Sequence, residues 1–196
     1  MSRTEIRITG FGGQGVVLCG YIIGKAYAVI AGKHATMIQS FGPEARGSFC
    51  SATLTISDIP ILYPYTRRPT VLVAMSGDGY EKFRDELADD GILIYEENLV
   101  RPRLKPGQKG FGIPSTRLAE QLGRSLVQNI VMLGFFTAVT NIVPRDAVRE
   151  AVRVSVPAGT EELNMKALDA GLGWLDKIQA PAPEKQQEIT VTAGGK

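Results

Sequence analysis

Residues 6–16 read IRITGFGGQGV, and this run narrows the choice of fold more than any other part of the chain. Glu5 to Thr9 alternates polar and apolar residues, as a strand does. Gly10, Gly12 and Gly15 then satisfy the spacing G-x-G-x-x-G, and a long apolar segment follows. A strand that turns through glycines into a helix leaves backbone N–H groups free at the positive helix end, where phosphate or carboxylate is favoured. Gly12 and Gly13 let the backbone approach a ligand closely, and Gln14 can both donate and accept hydrogen bonds. The same glycines can serve only tight strand–helix packing, and spacing alone leaves these two readings level. A nicotinamide dinucleotide makes a second demand, an acidic residue about 20 positions on at the end of the next strand. A second strand over Ala35–Gln39 ends at Gln39 and Ser40, and Glu44 comes too late, inside a Gly/Pro loop. The turn therefore suits an anion other than NAD.

Strands and helices alternate along the rest of the chain, which predicts an α/β fold: a mixed, mostly parallel sheet flanked by helices, with a Rossmann-like glycine loop after the first strand. Gly15 to Ala31 reads as a helix ended by Gly32, apolar almost all round and so expected to be buried on more than one side, by the sheet and by another layer or subunit. After the short second strand, SFCSATLTIS alternates small polar and apolar residues and predicts a half-exposed strand from Phe49 to Ile56. Thr70–Ser76 is a short apolar run and predicts a strand buried on both faces. A helix over Gly77–Ala88 and a buried strand in GILIYEE follow, then a loop rich in Pro, Gly and basic residues with room for one edge strand. Helices are predicted over Ser115–Leu122 and Leu126–Asn141, after Pro144, and from Thr160 as N-cap to about Ile178. Residues 1–178 thus read as one domain. Residues 179–196, QAPAPEKQQEITVTAGGK, read as a Pro/Gln-rich C-terminal tail, flexible or partner-bound.

The side-chain inventory is poor in chemistry. A net charge of +2 on 196 residues gives no general case for nucleic acid. No apolar run reaches the roughly 20 residues of a membrane span, and the N-terminus runs straight into a strand rather than a secretory segment, which predicts a cytoplasmic protein. Cys19 and Cys50 lack C-x-x-C spacing and cannot supply a four-cysteine cluster or zinc site. His34, the single histidine, has no ligand-like neighbours and reads as a surface residue, so no catalytic triad and no metal site is assigned. Arg67 and Arg68 lie in YPYTRRP, where proline dominates and a protein contact fits better than nucleic-acid stacking. In SFGPEARGS, residues 40–48, Arg46 brings a guanidinium to the anion site if the first two strands end at one edge; otherwise it forms a surface pair with Glu44, worth little.

An anion-holding edge without catalytic machinery is what a subunit of a larger enzyme carries. RITGFGGQGVV, QSFGPEARG, VLVAMS, NIVMLG and GTEELNMKALDAG follow one another as in the gamma subunits of 2-oxoacid:ferredoxin oxidoreductases, which the chain resembles over roughly residues 3–178, most in the 2-oxoglutarate type. The resemblance implies a complex that decarboxylates a 2-oxoacid on thiamine diphosphate, passes electrons through iron–sulfur clusters and delivers the acyl group to coenzyme A. It implies that thiamine diphosphate, Mg2+ and [4Fe-4S] clusters sit on partners, with none bound by this chain alone. Those partners are thiamine-binding alpha and beta subunits, a ferredoxin-like cluster subunit and, in some forms, a flavoprotein. It also implies that Gly12, Gly13, Gln14 and Gly15 lie near coenzyme A phosphates, with Arg46 as the basic residue. After Arg46 this chain has Gly47-Ser48-Phe49 where relatives commonly carry two glycines. Two other readings stay open: a structural interaction subunit without ligand role, and a stand-alone dinucleotide-binding protein.

Overall fold

Alternating and continuous apolar runs both yield strands, and six of them pair into one sheet in a computed structural model that describes residues 3–42, 49–65 and 67–179. They are β1 (Arg3–Phe11), β2 (His34–Phe41), β3 (Phe49–Ser57), β4 (Val71–Ala74), β5 (Ile92–Glu96) and β6 (Lys109–Ile113), in the spatial order β2-β3-β1-β4-β5-β6. β1, β4, β5 and β6 are mutually parallel, whereas β3 runs antiparallel to both β1 and β2. β1 and β2 therefore point the same way although β3 separates them. Phe11 pairs with Phe49 and Phe41 with Cys50, so both strands end at the same edge.

Two apolar layers hold the sheet. On one face Ile6, Ile8, Leu54, Ile56 and Val73 pack with α1 (Val16–Lys25), α4 (Gln128–Thr140), α5 (Arg145–Arg153) and α6 (Glu161–Leu172). On the other, Leu72, Ala74 and Leu93 meet Tyr80 and Phe83 of α2 (Gly77–Phe83), and Leu87 and Val100 beyond it. α3 (Ser115–Gln121) and α7 (Trp174–Gln179) complete the chain. Every residue of α4 from Asn129 to Ala138 is buried, which explains why its sequence is apolar all round. It lies against α6 so closely that a Cβ on Gly134 or Gly171 would overlap the backbone of the facing helix.

Four sequence expectations are adjusted. β3 is not half-exposed: Ser51, Thr55 and Ser57 are buried. The segment after β3 folds back over them, with the Thr55 hydroxyl donating to the Pro64 carbonyl at 3.4 Å and Arg3 Nη2 to the Tyr63 carbonyl at 3.3 Å. α1 ends at Lys25 and continues as a π-helical turn, Ala26–Ile30. One flank of that segment stays open, with Tyr21 49% and Val29 72% exposed. The final helix breaks at Gly173 into α6 and α7. Thr160 stands at the N-cap position of α6, but its hydroxyl donates to the Pro157 carbonyl at 2.7 Å and accepts from Asn164 Nδ2 at 3.1 Å, so it caps no backbone N–H.

Cys19 of α1 is enclosed, its Sγ donating to the Asn129 carbonyl at 3.1 Å, and burial pushes its thiol from 9.0 up to about 12. Below pH 9 the thiol is neutral in folded and unfolded chains alike. Between pH 9 and about 12 only the unfolded chain releases the proton, so stability falls as pH rises, by about 1.4 kcal/mol per pH unit. Denaturation midpoints measured at pH 8 and pH 10.5 are expected to show this loss in the wild type and a smaller one in Cys19→Ala; equal losses would remove the thiol as a cause.

Candidate functional site

The glycine run sits where β1 leaves the sheet. Phe11 closes the strand, and the Gln14 N–H donates back to the Phe11 carbonyl at 3.1 Å to form a tight turn. Gly12 and Gly13 form its exposed tip. Gly13 has φ 98° and Gly15 φ 75°, the left-handed region that glycine enters without penalty. The two differ in surroundings. Among the described residues a Cβ on Gly13 would meet nothing within 4 Å, whereas one on Gly15 would overlap the side chain of Asn129. Gly15 is thus a packing glycine, pressed against the start of α4, and Gly13 an open one.

Gly15 is also the N-cap of α1, with no side-chain cap and no acidic residue in the first helical turn. The positive end of α1 consequently faces the turn with no carboxylate in its own first turn to offset it. Gln14 is already engaged. Its Oε1 accepts from Phe11 N–H at 2.7 Å and its Nε2 donates to the Met75 carbonyl at 3.2 Å, tying the loop to the end of β4. That side chain shapes the turn, and at the exposed tip only backbone is presented.

Two other loops reach this edge. After β4, Ser76 accepts from Gly79 N–H at 3.2 Å and caps α2. After β2, Gly42 N–H donates to the Phe49 carbonyl at 2.9 Å, so the connection between β2 and β3 starts and ends beside the glycine loop. The edge-sharing asked of Arg46 therefore holds for the strands that flank it, through an antiparallel β3 rather than a direct parallel pairing. Arg46 itself, with Glu44, lies outside the described residues.

The remaining candidates are placed elsewhere. His34 is exposed at the start of β2, the outer strand of its edge. Arg68 pairs with Asp89 at 2.7 Å on the surface. Cys19 and Cys50 are free and buried, and among the described residues no three His, Cys, Asp or Glu side chains are grouped to hold a metal ion. Nor does any described helix have the length and apolarity to cross a membrane. Two contributors went unread in the sequence: Asn129, which seats Gly15, and Met75, whose carbonyl anchors Gln14. The one available cue was a polar residue heading an otherwise apolar helix, in NIVMLG.

A mixed six-stranded sheet flanked by helices, with a glycine turn where its first strand ends, defines the chain as an α/β protein of the kind found in multisubunit oxidoreductases. Residues 5–174 match the family "Pyruvate ferredoxin/flavodoxin oxidoreductase", and the chain belongs to that family, as the gamma subunit of a 2-oxoacid:ferredoxin oxidoreductase complex. It is 42% identical over 172 residues to the 2-oxoglutarate synthase subunit KorC of Methanocaldococcus jannaschii, a match covering 86% of this chain and 92% of that protein. A solved structure of the keto/oxoacid ferredoxin oxidoreductase gamma subunit of Geobacter sulfurreducens is 34% identical, with TM-score 0.76 over 86% of this chain and 95% of the other. The same fold occurs in the 2-oxoglutarate:ferredoxin oxidoreductase of Magnetococcus marinus, at TM-score 0.81 and 19% identity, covering 93% of this chain and 32% of that longer one.

Proposed function

We propose that this chain serves a complex that converts 2-oxoglutarate and coenzyme A to succinyl-CoA and CO2, releasing one proton and two electrons to ferredoxin or a related acceptor. The glycine loop holds coenzyme A phosphate. The observation that carries this reading is the open tip: Gly13 has left-handed backbone and no described residue within 4 Å of a Cβ there, directly before a helix start that carries neither side-chain cap nor acid in its first turn. A glycine kept only for packing would resemble Gly15, with a neighbour pressed against it. The substrate follows the M. jannaschii relative, a 2-oxoglutarate synthase subunit, and the M. marinus enzyme was solved with coenzyme A and succinyl-CoA bound.

Decarboxylation belongs to thiamine diphosphate with its Mg2+ on alpha and beta partner subunits, and electron transfer to [4Fe-4S] clusters on a ferredoxin-like partner. This chain has too few cysteines for such a cluster, so no redox step is assigned to its residues. Its own contribution is binding. Backbone N–H groups at Gly12, Gly13 and Gly15 donate to phosphate oxygens, and the α1 dipole adds about 0.3–1 kcal/mol. Arg46 supplies a guanidinium from the neighbouring loop.

The engagement of both ends of the Gln14 side chain within the turn favours a second reading, a purely architectural loop. Gly13→Ala separates the two. Its Cβ meets nothing among the described residues, so the fold loses only about 1 kcal/mol from the left-handed φ. In the assembled complex we expect the KM for coenzyme A to rise about tenfold, with kcat and subunit composition retained. An unchanged KM would leave the architectural reading standing.

A further inference from the structure

β2 is the outermost strand on its side of the sheet: β3 pairs with one flank, and no described strand pairs with the other. Proteins blunt such an edge with charge, proline or brevity, because its free N–H and C=O groups template pairing with another chain. The opposite edge, β6, follows that rule. It is five residues long, KGFGI, and Trp174 Nε1 donates to its Gly112 carbonyl at 3.2 Å. β2 does not follow it: the strand has eight residues, and ATMIQSF, residues 35–41, contains neither charge nor proline. We propose that this edge pairs with β2 of a second copy of the chain, antiparallel about a two-fold axis, so that the two sheets join into one.

Register decides which groups are on offer. Phe41 is opposite Cys50, and Gly42 N–H donates to the Phe49 carbonyl one step further on. In an antiparallel ladder such bonded pairs alternate, so the even-numbered residues of β2 are spent on β3. Ala35, Met37, Gln39 and Phe41 therefore aim their N–H and C=O groups outward. A two-fold pairing that places Ile38 opposite Ile38 of the second copy sets Ala35 against Phe41 and Met37 against Gln39. Its four facing pairs exchange about eight hydrogen bonds, within the ~10 ± 5 of a specific interface.

Side chains favour that register and a second copy as the occupant. Ala35 and Met37 face the α1 layer, and by alternation so does Phe41, which is 64% exposed. Beside Ala35 lies a cavity of about 210 Å3, lined by Tyr21, Ala28, Val29 and Met37 among others. A benzene-sized ring fits in about 150 Å3, so Phe41 of the second copy fills this space, and the axis repeats the contact. On the other face Thr36, whose buried hydroxyl has no hydrogen-bond partner among the described residues, comes opposite Ser40, a pairing that can supply one. A slip of two residues sets Phe41 against Lys33 or against Met37, and loses both fits. Charge permits the approach: the paired residues carry none, and Lys33, just before the strand, is matched by Asp58 at 2.7 Å.

The test is the association state of the full chain and of the assembled complex. Sedimentation equilibrium of the full chain at micromolar concentration should give a dimer. Phe41→Glu should raise its Kd at least tenfold and, being at an exposed position, leave the melting point within about 2 °C. Ile38→Cys should link two copies on mild oxidation, because facing residues of a non-hydrogen-bonded pair have Cα atoms about 4.5 Å apart, within disulfide reach. Gln39→Cys, offset by two residues from its own copy, should not; the native Cys19 and Cys50 are buried and do not compete. The Ile38→Cys link should form in the assembled complex as well. A monomeric chain, a dimer indifferent to Phe41→Glu, or a link through Gln39→Cys in place of Ile38→Cys would overturn the proposal. So would an Ile38→Cys link to a different polypeptide of the complex, which would make β2 the seat of another subunit. A full chain that dimerises only once residues 180–196 are removed would also overturn it, with the tail as occupant.

Discussion

A Gly171→Ala protein is expected to melt about 10 °C below the wild type and to be lost from its complex on mild heating, a loss on the order of 3 kcal/mol. Helix propensity alone predicts the opposite, since alanine is favoured over glycine inside a helix by about 1 kcal/mol. The crossing decides the sign. A methyl at Gly171 would overlap the Val131 carbonyl and stand 2.8 Å from Phe135 N, and both belong to the backbone of α4. Backbone locked into helical hydrogen bonds cannot swing aside as a side chain can. α4 and α6 would have to separate, opening gaps around Phe135, Leu168 and Val131, which are fully buried. Gly173→Ala, at the end of the same helix, is the internal control. Its Cβ would lie 3.4 Å from the Asp169 carbonyl, an ordinary contact, so the melting point should hold within about 2 °C. A Gly171→Ala melting point as high as that of the control would mean that the two helices are not in such close contact.

The second large effect is expected at Gln14, read by kinetics. Gln14→Glu keeps the acceptor that receives Phe11 N–H, so the turn can still close. It removes the donor to the Met75 carbonyl, sets two oxygens against each other there, and places a negative charge in the loop proposed for phosphate. We expect the KM for coenzyme A to rise at least tenfold, and the rise to shrink as added salt screens the repulsion. Gln14→Leu loses both hydrogen bonds without adding charge; it should cost more stability and raise the KM less. If the two substitutions raise KM equally and salt has no influence, the Gln14→Glu effect is only loop damage, and no anion needs to be invoked.

The strands and helices were legible because their periodicities come from burial on one face or on two. VLVA is apolar at consecutive positions and is buried on both sides as β4; GFGGQG needs its glycines because Gly13 and Gly15 have left-handed backbone. β3 misled because alternation reports which residues face the other side of the sheet. It does not report whether a distant segment, here Tyr63 to Tyr65, lies down on them. The final helix misled at Gly173 because a single glycine inside a helical pattern does not reveal whether the chain turns there.

By itself, the sequence determined an α/β order of elements, a glycine turn between the first strand and the first helix, and a side-chain inventory with two cysteines and one histidine. These are local or compositional properties, carried by residues near one another in the chain. Tertiary structure alone decided which glycine is open and which is clamped, because Asn129 reaches Gly15 from more than a hundred residues away and no described residue comparably reaches Gly13. It also decided that β2 ends beside β1 through an intervening antiparallel strand, and that Arg7, Ser51 and Lys82, from three different elements, line one cavity at that edge. Such juxtapositions depend on strand register and on which way each element is packed, and neither is encoded by the spacing of residues within one segment.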